Sequence, residues 1–337
     1  MIADRIAKPW VKYSIMGILV IYMYGAMTLK YVSGAESLYQ GISYIAYGDE
    51  TVLEKEWGGC YYVSIAIFGA LSIGFSFGDI ENSKTLQMIT SVLRIVVLAL
   101  MYGGTIYYIG ADFKPPTKVF NWKEQLPELA GVFGNTVFVF IYHHSIPGIM
   151  YPVRPQKAVG NMFFISNIMA AFLLFAEGFL AYIAFSGQAN PCSEAGGVYP
   201  CQTAPLFNEN FQAIPVVGPI CQFYPMLNVS AVPILVITLR NNFLQVVPLK
   251  RWIREIGCCK ILLEDHRRSV KGLWSFIFSI PAIIIVLFVR NPQTLVTYTG
   301  GICGTFILFL IPLTLVSYGR TTRFGNNPKE NFNASKF

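Results

Sequence analysis

Two of the chain's three histidines, His143 and His144, stand beside Ser145 in FVFIYHHSIPGIMYP, an apolar run interrupted by Pro147 and Gly148. Imidazole titrates near neutral pH and both donates and accepts hydrogen bonds. Proline removes a backbone N–H and clashes with the preceding helical turn. In a helix surrounded by lipid, such a break is tolerated only where the freed carbonyls find partners or line a wet cavity. These residue types at this spacing therefore suit the holding of a small polar solute, or a proton, at an interruption within a membrane helix. A proline kink packed with hydrogen-bonded histidines is the structural alternative. The stretch QFYPMLNVSAVPILVITLRNN repeats the theme, with Pro225 and Pro233 on either side of Asn228 and Ser230. Arg94, in TLQMITSVLRIVVLALMYGG, and Glu177, in AAFLLFAEGFLAYIAF, stand well inside apolar runs. A charge at such depth costs about 2.5–3.5 kcal/mol on insertion scales, so it marks a solute or ion pathway, or else a polar contact inside a bundle. Counted along their runs, Arg94 and His143 fall at similar depth and Glu177 nearer the opposite side, which makes a direct Arg94–Glu177 pair strained. Lys30 and Glu36 fall near the end of their run, where long side chains snorkel to the interface. Phosphate-binding loops, zinc-protease and hydrolase motifs and zinc-type Cys/His spacings are missing from the sequence. Neither an enzyme, a resident metal nor a cofactor is expected.

The elements that must position these residues are membrane helices. The 337 residues are 54% hydrophobic and only 13% charged, with a mean hydropathy of +0.51. Apolar stretches of the roughly 20 residues needed to cross a bilayer recur about eight times: Val11 to Leu38, Gly58 to Phe77, Leu86 to Ile109, Leu129 to Tyr151, Val159 to Phe185, Val216 to Leu239, Leu273 to Val289 and Leu295 to Tyr318. Residues 1–318 form one multipass domain and 319–337 a polar cytoplasmic tail. The net charge of +7 reflects sidedness rather than nucleic acid. Lys55, Lys114, Lys118, Lys123 and Arg290 fall on one side and most other Lys and Arg on the opposite one, which by the positive-inside rule makes both termini cytoplasmic. The expected setting is the plasma membrane or an endolysosomal membrane, and the partners are the lipid bilayer and a small-molecule substrate. Cys192 and Cys201 lie in an outer segment without Lys or Arg. A disulfide between them, in an oxidising compartment, would stabilise by about 2–3 kcal/mol. The stretch RWIREIGCCKILLEDHRRSVK reads as an amphipathic inner-face helix or a polar connector. Glycines in TGGICGTFILFLIPLTL permit close helix approach.

FVFIYHHSIP, the VPxxxxxxR spacing from Pro233 to Arg240 followed by Asn241 and Asn242, and Gly300 with Pro312 beyond it together resemble the amino acid/auxin permease group of the amino acid-polyamine-organocation superfamily. KTLQMITSVLR, with Arg94, is a further match. The resemblance covers nearly the whole chain. It implies an all-helical LeuT-like bundle of two five-helix inverted repeats, with substrate held between broken first and sixth helices. It also implies proton- or sodium-coupled movement of neutral or cationic amino acids. The spans here are similar to that group's third to tenth, which assigns His143 to Pro147 to the sixth helix and Asn228 to Ser230 to the eighth. Phe140 and Tyr142 would then wall a site shaped by His143, His144 and Ser145 and faced by Asn228 and Ser230, with Arg94 and Glu177 tuning its field. Counterparts of the first two helices and of an eleventh are missing, which implies a fragment, an incomplete gene model or a short isoform, inactive by itself. A non-transporting sensor or regulator derived from the same fold is the rival expectation. Threonines that sodium-coupled relatives place before the eighth-helix Val-Pro are replaced by Val229 and Ala231, which weighs against sodium and leaves a proton, through His143 or His144, as the alternative coupling ion.

Overall fold

A lipid-embedded chain must pair its backbone N–H and C=O groups internally, and a helix does so within one segment. The computed structural model describes residues 9–77, 84–111, 126, 129–141, 156–185, 207–211, 214, 216–247, 255 and 268–322. Among them the chain is helical between short connections, with no strand. The helices are α1 (Pro9–Tyr47), α2 (Val52–Glu56), α3 (Cys60–Phe75), α4 (Lys84–Ala111), α5 (Leu129–Phe140), α6 (Gln156–Phe185), α7 (Val217–Gln222), α8 (Ala231–Val246), α9 (Arg268–Phe288), α10 (Pro292–Tyr298) and α11 (Ile311–Thr322). Turns of 3-10 helix occupy Phe207–Phe211 and Tyr224–Ser230, and π-helical turns at Thr299–Gly304 and Phe306–Leu310 join α10 to α11.

Six described segments are long and apolar enough to cross a bilayer: Trp10–Tyr47, Thr85–Gly110, Val159–Phe185, Val217–Leu244, Ser269–Phe288 and Pro292–Ser317. The second and fourth expected spans are shorter, at Cys60–Phe75 and Leu129–Phe140. At 1.5 Å per residue they reach only about 24 and 18 Å, against a hydrocarbon core of about 30 Å. Six of the eight expected spans therefore reach full length among the described residues, and the other two are described over Cys60–Phe75 and Leu129–Phe140. Large apolar side chains point outward on α4 and α6, where Ile95 and Phe172 are each 68% exposed and Phe175 73%. Contiguous apolar surface of this kind is what lipid solvates. The fold is that of an integral multipass membrane protein.

The 39 residues of α1 make it the axis of the bundle. It packs against α3, the Tyr224–Ser230 turn, α8, α9 and the last span. Met23, Met27, Tyr31 and Val32 of α1 are fully buried, in one cluster with Phe68 of α3, Val232 and Val236 of α8, and Ala282 of α9. Lipid tails are as apolar as these side chains, so dispersion and interhelical hydrogen bonds hold the cluster rather than escape from water. The Tyr31 and Phe68 rings meet edge to face at 5.8 Å. Ser275 Oγ donates to the Ser76 carbonyl at 3.2 Å, and Tyr61 Oη to the Val286 carbonyl at 3.2 Å, tying α3 to α9. A second cluster joins Val97 and Met101 of α4 to Ala181, Ala184 and Phe185 of α6 and to Phe211 and Cys221.

The last span starts where its sequence says it should. Asn291 Oδ1 accepts from the Gln293 and Thr294 backbone N–H groups, and Pro292 takes the first helical position. The glycines of this span do permit close approach, because Gly300 lies directly against the Gly134 backbone of α5. Just before Pro292, Arg290 ties the α9–α10 connection to α2. Its Nη1 is 3.2 Å from Glu54 Oε1, with the two side chains 43% and 41% exposed. Its guanidinium lies 4.4 Å from the centre of the Tyr61 ring. An ion pair this exposed contributes at most about 1 kcal/mol, and the cation–π contact about as much again. Arg290→Ala is expected to lower stability by about 1–2 kcal/mol. High salt should remove only the ion-pair share of that difference, as read from thermal unfolding of the purified protein at low and high ionic strength.

Candidate functional site

The span expected over Val216 to Leu239 is broken in the structure. α7 ends at Gln222, and the chain then tightens into 3-10 geometry from Tyr224 to Ser230 before α8 resumes. Pro225 stands at the start of the turn, where its missing N–H costs least. Pro233 falls in the first turn of α8, where it is likewise tolerated. At the end of the turn the Ala231 N–H bonds to the Asn228 carbonyl. The Leu227 carbonyl also meets side chains. It accepts from Arg94 Nη2 at 2.8 Å and from Ser230 Oγ at 3.1 Å.

Arg94 thus meets the broken span directly. Its Nη2 also lies 3.3 Å from Ser230 Oγ, and Thr90 Oγ1, one turn earlier on α4, lies 2.8 Å from the same oxygen. Ser230 is 2% exposed and Thr90 4%. This small hydroxyl–guanidinium–carbonyl network is how a cation deep in the bundle is compensated without a carboxylate partner. Glu177 makes no direct pair with Arg94, as its depth implied. Tyr224 lies between the two charges, within the field of each.

Helix α1 holds both sides of the interruption. Asn228 Nδ2 donates to Ser33 Oγ at 3.3 Å, and Ser37 Oγ donates to the Gln222 carbonyl at 2.6 Å. The same helix meets the end of α5. α5 stops at Phe140, and Ile141 is already non-helical. The Ile141 carbonyl accepts from Tyr22 Oη at 3.3 Å, while the Tyr22 ring packs on Phe138 at 6.0 Å. Phe140, expected as an aromatic wall, is the partly buried last residue of α5. Tyr142, His143, His144, Ser145, Pro147 and Gly148 lie outside the described residues, as do Cys192 and Cys201. At 3.6 residues per turn, Tyr22 and Ser33 share one face of α1 about three turns apart.

Among the positions that escaped the sequence reading are Thr90, Ser33 and Ser37. Each had a local signal, since Thr90 precedes Arg94 by one turn and the two serines lie one turn apart in an apolar run. Lys30 lies near the middle of Trp10–Tyr47, within electrostatic reach of Arg94, and Glu36 lies in the field of Glu54, Glu209 and Arg290.

Among known proteins, the chain is similar to the transmembrane protein 104 homolog of Dictyostelium discoideum, 27% identical over 342 residues that cover 95% of this chain and 63% of that protein. Human transmembrane protein 104 is 24% identical over 325 residues, or 90% of this chain and 60% of its own length. The Drosophila melanogaster homolog is 24% identical over 328 residues, covering 90% and 61%. The chain thus spans about three fifths of the length of the curated relatives it matches. No protein-family model and no solved structure matches it. The relatives' names agree with the six apolar helices on a membrane protein and go no further.

Proposed function

We propose that this protein is a secondary active transporter of a small solute, an amino acid in the first instance. It would be built as part of a LeuT-like bundle and work by alternating access around polar interruptions inside the membrane. The observation that carries this reading is the broken span at Tyr224–Ser230, whose Leu227 carbonyl is met by the partly buried guanidinium of Arg94. Irregular backbone at membrane depth is affordable where it lines a solute path, and transporters use such interruptions to hold solute and coupling ion. A fixed guanidinium already occupies the Leu227 carbonyl and the Ser230 hydroxyl, oxygens of the kind a sodium ion would need. Val229 and Ala231 beside them add no side-chain oxygen. A proton is therefore the favoured coupling ion, with His143 and His144 its candidate carriers.

The test is uptake of labelled amino acids by the full-length protein in proteoliposomes. Uptake driven by an inward proton gradient without sodium is expected. Replacing His143 and His144 with alanine should reduce it by about tenfold or more, or shift its pH dependence, in line with the size of proton-transfer effects. Sodium-driven uptake with an unchanged pH profile would remove the proton assignment. Binding of an amino acid with no uptake under any gradient would mark the protein as a non-transporting sensor instead.

A further inference from the structure

Lys30 and Arg94 come from different helices and converge on one short segment. Arg94 reaches Leu227 and Ser230 of the 3-10 turn. Lys30 stands on α1 nearly one turn before Ser33, whose hydroxyl accepts from Asn228 of the same turn. The charges of the two side chains act on one another. Neither is in an ion pair with a carboxylate among the described residues. Arg94 at least has a carbonyl and a hydroxyl; Lys30 has no hydrogen bond that would neutralise it. Lys30 is partly buried.

Two cations held side by side in a low-dielectric interior repel one another, and burial of either is tolerated only with compensation. Arg94 draws its share from the Leu227 carbonyl and the Ser230 hydroxyl. Glu177 acts on Tyr224 rather than on either cation, and Glu36 lies in the field of Glu54, Glu209 and Arg290. Among the described residues no carboxylate balances the pair.

We propose that Lys30 and Arg94 form an anion-binding subsite beside the Tyr224–Ser230 turn, and that the solute this protein takes carries net negative charge in its carboxylate groups. This rests on the transporter reading for its use, though not for its geometry. Arg94 would offer the carboxylate a planar pair of N–H groups and Lys30 a mobile point charge. A zwitterion with one carboxylate would leave one cation uncompensated, and a cationic solute would worsen the repulsion.

The experiment is binding to the purified full-length protein, read as the shift of thermal unfolding with L-glutamate, succinate, L-leucine, L-lysine or sodium chloride. Glutamate and succinate are expected to stabilise it saturably, and leucine, lysine and chloride much less. Because Lys30 has no hydrogen bond to lose, Lys30→Gln should fold. It should bind the carboxylates at least about tenfold more weakly, the size expected for losing one charged hydrogen bond. Lys30→Arg should retain binding. Undiminished affinity in Lys30→Gln, equal stabilisation by leucine or lysine, or a chloride effect as large as that of glutamate would each overturn the subsite. Proteoliposome uptake separates this from the parent reading. Transport of leucine or lysine without carboxylate binding sinks the subsite alone, whereas carboxylate binding lost in Lys30→Gln, with no uptake of any solute, sinks the transporter alone.

Discussion

Replacing Gly300 with alanine is expected to cost this protein about 3 kcal/mol, at the upper end of what overpacking costs, while the same change at Gly301 costs nothing measurable. The two positions are neighbours in the same π-helical turn, so composition and helix propensity do not separate them. Space does. A Cβ on Gly300 would overlap the Gly134 carbonyl oxygen and come within 2.8 Å of Phe138 Cβ. A Cβ on Gly301 would find its nearest neighbour, Gly134 Cα, at 3.9 Å, an ordinary contact. The obstruction at Gly300 is backbone, which has no alternative rotamer, so α5 must move away from the last span. Thermal or denaturant unfolding of the purified variants reads the difference. Equal stability of the two would show that α5 and the last span are not in backbone contact.

Arg94→Leu is expected to separate folding from function. Removing a cation from within the membrane regains about 2.5–3.5 kcal/mol of insertion cost. Against this stands the loss of hydrogen bonds to Leu227 and Ser230, worth about 1.5–3 kcal/mol each when one partner is charged. The terms nearly cancel, and Ser230 Oγ remains to satisfy the Leu227 carbonyl. The variant should accumulate as folded protein at close to the normal level. Solute uptake should nevertheless fall by about 100-fold, equivalent to about 2.7 kcal/mol of lost stabilisation. Arg94→Lys keeps the charge but not the planar donor pair, and should fall between. Paired measurements of monodisperse yield and of uptake decide the matter. A variant that fails to fold would make Arg94 a structural bolt, and one that transports normally would remove it from the solute path.

What the sequence revealed followed local rules. Pro225 and Pro233 marked an interrupted span, and the glycines around Gly300 marked a close approach. The full length of α1 was not legible, for a physical reason. Beyond Leu38, α1 continues to Tyr47 through Tyr39, Gln40, Ser43 and Tyr44, which in isolation looks like the end of an apolar run. Its polar groups are satisfied locally and by α2, since Ser43 Oγ donates to the Asp49 carbonyl and Tyr39 Oη to Glu54. Hydropathy scores each residue as though it faced lipid or water, and does not register a polar group satisfied by another helix. Ser33 and Ser37 escaped for the same reason, since their partners lie almost 200 positions away in the chain.

Helix α1 carries a further implication. Its contacts at Tyr22 and Ser33 meet the end of α5 and the Tyr224–Ser230 turn, and about 16 Å of stiff, hydrogen-bonded rod separates those residues along the axis. A rod of this kind neither stretches nor compresses appreciably, so it acts as a ruler that keeps the two places apart whatever else in the bundle rearranges. A metabolite only a few ångströms long cannot touch both at once. If the protein carries a solute as proposed, the two would be successive stations along its route rather than opposing jaws of one clamp.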